Sequence, residues 1–157
     1  ESAARQITLT SGKTPRLIIA RIGLVLAKEA PAWRAMLLPF RLGVGGKLGN
    51  GQQWYSWIDA EDLASAMLHL AHDPTAHGIY NFTAPEPIQQ VQLSHLVSKQ
   101  LHRPALVRVP KLVLRAVLGE AADSLVLASC KVRPLRLLSA EFSVKYPTLR
   151  DALPHLM

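Results

Sequence analysis

The segment Gly43 to Leu63, GVGGKLGNGQQWYSWIDAEDL, constrains this chain more than any other. Glycine occupies five of the nine positions from 43 to 51, and Lys47 carries the only charge among them. Glycine tolerates positive φ and lets another group approach the backbone, but it loses more conformational freedom on folding than any other residue. So dense a cluster implies that local shape is required. Trp54, Tyr55 and Trp57 follow, each a broad apolar surface with one polar tip. Such a segment suits the wall of a small-molecule site, and it equally suits a surface loop running into a buried strand. Asp59 then stands where a helix N-cap belongs, with Glu61 and Asp62 in the first turn, where the helix dipole favours negative charge.

The flanking patterns are those of an α/β protein. Arg16 to Ile22 contains the unalternating apolar run LIIA, as in a strand buried on both faces of a parallel sheet. Ser2 to Ser11 reads as the end of a helix capped by Gly12, and with that strand it forms half of a βαβ unit. The loop opening at Gly23 lies at the carboxyl end of the strand, where open α/β sheets keep their ligands. Ala32 to Phe40 is expected as a helix with Trp33, Met36, Leu37 and Phe40 on one side, ended or kinked by Pro39. Gln53 to Ile58 reads as a strand, and the helix after it carries a buried stripe of Leu63, Met67 and Leu70. Further on, Gly78 to Thr83 reads as a strand, 91–101 as a helix and 105–109 as an alternating strand. Pro110 suits a helix start, with helix resuming over 120–129. The chain is expected to close with a short helix at 134–140, a strand at 142–144 and a frayed last helix.

With 157 residues, 49% of them hydrophobic, the chain can bury a core and is not of disordered composition. No apolar run approaches the roughly 18 residues of a membrane span. The one cysteine, Cys130, forms no internal disulfide, which fits a reducing cytoplasm, and is read as buried and structural. The net charge of +7 gathers between Lys99 and Arg136, where eight cations face only Glu120 and Asp123. That region suits phosphate binding, but it lacks the interleaved aromatics that stack on bases, so nucleic acid is not the expected partner. A solvated basic face explains it more simply.

A catalytic set is missing. No serine stands in a GxSxG elbow, no phosphate-binding GxxxxGK[ST] occurs, and the GVGGKLG segment precedes a strand instead of following one. No tyrosine has a lysine four residues later: Tyr55, Tyr80 and Tyr146 are followed there by Asp59, Ala84 and Arg150. His69 and His72 have helical metal-pair spacing, but no metal-binding motif accompanies them. Asp59, Glu61 and Asp62 are read as helix-capping groups and not as a metal site.

The order RLIIARIGLVL (Arg16–Leu26), LLPFRLGVGGKLGNGQQWYSWIDAEDLASAMLHL (Leu37–Leu70) and GIYNFTAPEP (Gly78–Pro87) resembles the C-terminal half of extended or atypical short-chain dehydrogenases/reductases. Within them it is most similar to the epimerase family proteins, which are NAD-dependent epimerase/dehydratase-like. HRPALVRVP and KVRPLRLLSAEFSVKYPTLRDAL resemble that family's small C-terminal region of unassigned function. The resemblance implies an incomplete doubly wound, Rossmann-like parallel sheet lacking its N-terminal nucleotide-binding strands, over residues 1–102. A small α+β region over 103–157 completes it. It also implies an upstream part, with which a start at Glu1 and a helix-like 2–9 agree. NAD or NADP would be the cofactor of the full-length protein and would not bind tightly to this chain alone. Gly23 and Leu24 would pass the nicotinamide. Gln53, Trp54 and Trp57 would contact a small-molecule substrate, with Gly45 and Gly46 allowing close approach. No catalytic residue transfers, since the dinucleotide-binding turn and the Tyr-x-x-x-Lys pair would lie upstream. The missing half or another protomer is the implied protein partner. Two other readings stay open: a basic module for a phosphate-bearing partner, and a dinucleotide-binding sensor.

Overall fold

The computed structural model describes residues 16–110, 112, 116 and 128–157. The helix expected at 2–11, most of the one expected from Pro110 and the 120–127 part of the one expected over 120–129 lie outside the described residues, and Ala128 and Ser129 are not helical. The elements bounded by described residues are, in order, β1 (Ile18–Ile22), β2 (Leu24–Leu26), α1 (Pro31–Arg41), β3 (Gly46–Leu48), β4 (Trp54–Tyr55), β5 (Trp57–Asp59), α2 (Ala60–His72), β6 (Gly78–Phe82), β7 (Ile88–Gln89), α3 (Gln90–Leu101), β8 (Val107–Val109), α4 (Leu135–Ser139) and α5 (Leu149–Leu156).

Strands pair in parallel as β1 with β6, β2 with β5 and β3 with β8, and antiparallel as β4 with β7. One extended segment supplies both β1 and β2, and it changes partner at Gly23. The Gly23 amide donates to Phe82 O at 3.1 Å, and the next amide, of Leu24, donates to Ser56 O at 2.8 Å. A Cβ at Gly23 would lie 2.4 Å from that same Ser56 oxygen, so a side chain would part the strands at the crossover. Successive strand residues face opposite sides. Along β5, Trp57 therefore enters one core and Ile58 the other. The first core gathers Trp33, Leu37 and Phe40 of α1, Leu93 and Val97 of α3, and Leu149, Leu153 and Leu156 of α5. The second holds Ala66 and Leu70 of α2, Tyr80 and Phe82 of β6, Leu137 of α4 and Phe142. Helices thus cover both faces of the parallel pairs, which is the layering of an α/β sheet.

Local and long-range caps hold the helices in place. The Asp59 carboxylate accepts from Glu61 N at 2.8 Å, the expected N-cap. At the other end of α2, Arg16 donates to the carbonyls of Leu70, Ala71, Asp73 and Ala76, filling acceptors that a helix terminus leaves open. The Trp33 indole does the same for Leu156 O of α5 at 3.0 Å.

Several expectations need correction. β1 is not buried on both faces: Ala20, Arg21 and Ile22 are exposed, because β6 is its only strand partner among the described residues. Pro39 does not end α1, which runs on to Arg41. The buried stripe of α2 is Asp62, Ala66 and Leu70, and Met67 turns to solvent. The strand expected over 53–58 is two, interrupted at Ser56. The 105–109 strand is shorter, Val107–Val109, and does not alternate in burial. Residues 142–144 form no strand; Phe142 packs on the second core without a backbone partner. The last helix is regular, with four residues buried along it. Cys130 is exposed.

Candidate functional site

Because β1 and β6 are parallel, their carboxyl ends, Ile22 and Phe82, lie side by side. Beyond them opens a cleft of about 470 Å³. Its floor is Gly23 and Leu24, continuous with β1. Thr83 follows β6, and β4 with Ser56 forms one wall. Ala128, Cys130 and Val132 extend that wall, in a segment stitched to β4 by backbone and hydroxyl bonds. Trp54 N donates to Ser129 Oγ at 3.1 Å, and Cys130 N donates to Trp54 O at 3.0 Å. Ser56 Oγ donates to Cys130 O at 2.8 Å and accepts from Val132 N at 2.7 Å. Lys131 sits over the Trp54 ring, 4.1 Å from its centroid, and Arg136 over Tyr80 at 4.5 Å. Two cations of the basic region are therefore spent on the chain's own rings.

The cleft unites Gly23, Leu24 and Trp54, three of the residues singled out in the sequence. The other four stand elsewhere. Trp57 is 1% exposed in the first core, and its indole donates to Glu86 O at 3.0 Å. Gln53 is buried and donates to Leu48 O at 3.2 Å. The space beside Gly45 is filled by the Phe40 ring. A Cβ on Gly46 would sit 1.9 Å from Val107 O. At Gly46 the close approach that glycine permits is by the chain's own strand β8.

The other side of β3 is held by side chains, a feature the sequence reading did not find. Gln90 Nε2 donates to Gly46 O at 3.1 Å and to Ser94 Oγ at 2.8 Å, and Ser94 Oγ donates to Gly46 O at 2.8 Å. Gln90 Oε1 accepts from Leu48 N at 3.1 Å. Two polar residues one turn apart on the inward face of α3 were the available signal, since a buried amide needs partners.

Burial pushes the Tyr55 phenol above its ordinary value, with a hydrogen bond from the Gln53 side chain pulling the other way. At neutral pH it is therefore a neutral hydrogen-bonding group. Thr83 Oγ1 is buried at the cleft without a hydrogen-bond partner. A wider hollow of about 840 Å³ lies between the 86–88 turn, α3 and the start of α5. It holds none of the seven residues, and the smaller cleft, at the strand ends, is the one whose position in the sheet suits a ligand.

Residues 109–156 match the family described as Domain of unknown function (DUF1731). An epimerase family protein of Staphylococcus epidermidis is 42% identical over 142 residues, covering 90% of this chain and 47% of that protein. The chain is similar to the epimerase family proteins. It spans about half the length of the curated relatives it matches. The crystal structure of human epimerase family protein SDR39U1 (isoform 2) with NADPH is similar with a TM-score of 0.85 and 34% identity, over 92% of this chain and 50% of that one. A nucleoside-diphosphate sugar epimerase from Corynebacterium glutamicum, at 24% identity and TM-score 0.69 over 89% of this chain and 26% of its own, shares the fold. The chain is thus a Rossmann-like α/β unit matching part of such proteins. Among its described residues, no helix is long and apolar enough to cross a membrane.

Proposed function

We propose that this chain is the substrate-side and C-terminal portion of a cytoplasmic NAD(P)-dependent oxidoreductase, or nucleotide-sugar-epimerase-like protein, of the short-chain dehydrogenase/reductase kind. It is not catalytically complete by itself. The observation that carries the reading is the convergence of Gly23, Leu24 and Trp54 on one cleft beyond the carboxyl ends of two parallel strands. The human relative was crystallised with NADPH. The residues present fit the nicotinamide end of such a cofactor: a side-chain-free backbone at Gly23, and at Thr83 a buried hydroxyl with no partner among the described residues. Gly23 and Leu24 would border the ring, and Trp54 would cover the substrate. When bound, the dinucleotide supplies hydride acceptance or donation. The chain's own part is to orient the substrate against it and exclude water. Gln53 and Trp57 support the cleft from behind. The dinucleotide-binding half, or another protomer, would cover the exposed end of β1.

Cys130 is exposed and lines the cleft, so it reports occupancy without any substitution. In the complete protein, NADPH is expected to slow alkylation of Cys130 by N-ethylmaleimide severalfold, read on the Cys130 peptide by mass spectrometry. Tight NADPH binding with an unchanged Cys130 rate would refute the assignment of this cleft.

A further inference from the structure

Outside the cleft lining, the start of α2 meets the end of α5. The Asp59 side chain is 1% exposed, and its two oxygens have different fates. Oδ1 caps the helix through Glu61 N at 2.8 Å. Oδ2 is buried and accepts no hydrogen bond. A buried carboxylate oxygen left in that state is costly, so helix capping accounts for only half of this side chain. The group nearest to Oδ2 in charge and chemistry is His155 Nε2, at 3.9 Å, and the same nitrogen lies 3.5 Å from Glu61 Oε1. Glu61 is also divided: Oε2 binds Lys145 Nζ at 2.7 Å, leaving Oε1 for the histidine side. The imidazole is held by stacking on Tyr146, with centroids 5.3 Å apart and planes 11° from parallel.

One donor atom from each of Asp59, Glu61 and His155 lies within 4.8 Å of the other two. Ligands about 2.0–2.2 Å from a common ion stand a little over 3 Å apart, so small side-chain rotations close this triangle on a cation. We propose that Asp59, Glu61 and His155 form a binding site for a first-row divalent cation of the zinc type. One imidazole nitrogen and two carboxylate oxygens are a donor set that zinc accepts, and the coordination left over faces solvent, where His155 and Glu61 are 40% and 48% exposed. The cation supplies the partner that Asp59 Oδ2 lacks. It also clamps the first turn of α2 to the last turn of α5, elements some ninety residues apart in sequence.

The other histidines of α2 do not form such a set. His69 Nε2 pairs with Ala140 O at 2.7 Å and His72 Nδ1 with Leu68 O at 2.8 Å.

The test is a calorimetric titration of the chelator-stripped chain with Zn²⁺, alongside a Co²⁺ titration followed by visible absorption. One ion per chain is expected, with a Co²⁺ band of nitrogen–oxygen ligation. Asp59→Asn keeps a competent N-cap. Together with His155→Gln it is expected to weaken Zn²⁺ by more than the roughly 10–100-fold seen for loss of a mere supporting contact. Circular dichroism should remain unchanged in both. A His69→Ala/His72→Ala double variant is expected to bind as the parent does. Absence of stoichiometric Zn²⁺ binding, or binding that survives Asp59→Asn, overturns the site.

Discussion

Asp62 offers the sharpest quantitative test of how this chain is held together. It is 2% exposed, and its oxygens accept from two consecutive backbone amides, Lys145 N at 2.8 Å and Tyr146 N at 2.9 Å. A helix residue therefore terminates a turn more than eighty positions away. Asp62→Ala removes both acceptors together. Hydrogen bonds to charged groups contribute about 1.5–3 kcal/mol each, and the two amides are only part-buried, so water recovers some of the loss. The low end of the sum, about 3 kcal/mol, is the expected cost. With a urea slope of about 1.5 kcal/mol per molar, that moves the unfolding midpoint down by about 2 M. Asp62→Asn keeps one oxygen but turns an amide donor towards a backbone donor, and its expected loss is about 2 kcal/mol. Urea unfolding followed by circular dichroism measures both, with an unchanged slope certifying an unchanged denatured state. The Lys145 and Tyr146 amide resonances should shift in the folded variants. A midpoint for Asp62→Ala within about 0.5 M of the parent would show that the contact is not a structural link.

Trp57→Ala opens a large void in the first core and removes the donor to Glu86 O, for an expected loss of about 3–5 kcal/mol. Trp54→Ala, at the half-buried cleft wall, should cost much less stability, and equal losses in urea would contradict the placement of the two tryptophans. Asp73 is held below its ordinary value by its bonds with the Thr75 hydroxyl and amide. A depressed folded value means stability that is present above the unfolded pKa, near 3.9, and is lost as pH falls through the folded one. Thr75→Ala should bring the Asp73 titration, read by carboxyl-carbon NMR, back up towards the ordinary range, and an unmoved titration would remove Thr75 as the cause.

The parts of the fold that the sequence announces are those whose causes are local. The α2 cap at Asp59, the α1 face of Trp33, Leu37 and Phe40, and the strand before Gly23 follow from capping, helical periodicity and an apolar run. The misreadings share one physical origin. Residues 142–144 have strand-like composition, but a strand requires a partner edge, and Phe142 finds a core position without one. Met67 has the right spacing for a core residue. Asp62 takes the adjacent stripe instead because its partners, the 145–146 amides, lie behind the helix. Pro39 removes one hydrogen bond from α1, yet Trp33, Leu37 and Phe40 bury enough surface to carry the helix past it.

The glycine-rich segment shows why density of a residue type does not identify its use. Gly23 and Gly46 are both sites where a Cβ would strike backbone, at Ser56 O and Val107 O. Both exist so that strands can meet. Only Gly23 also lies at the carboxyl end of a parallel pair, and that topological fact, invisible to composition, makes it part of a cleft while Gly46 is part of a sheet. The same reasoning separates the two tryptophans of the WYSW run. Trp54 lies in an antiparallel pair whose outer side meets the 129–132 segment. Trp57 lies in a parallel pair roofed by α1 and α3. Three residues of sequence divide a cleft-lining ring from a core ring, because Ser56 interrupts the strand between them and uses its hydroxyl to bind Cys130 O and Val132 N of the neighbouring segment. If that hydroxyl is what keeps the 130–132 segment in place, the cleft depends on Ser56 as much as on any residue that would touch a ligand.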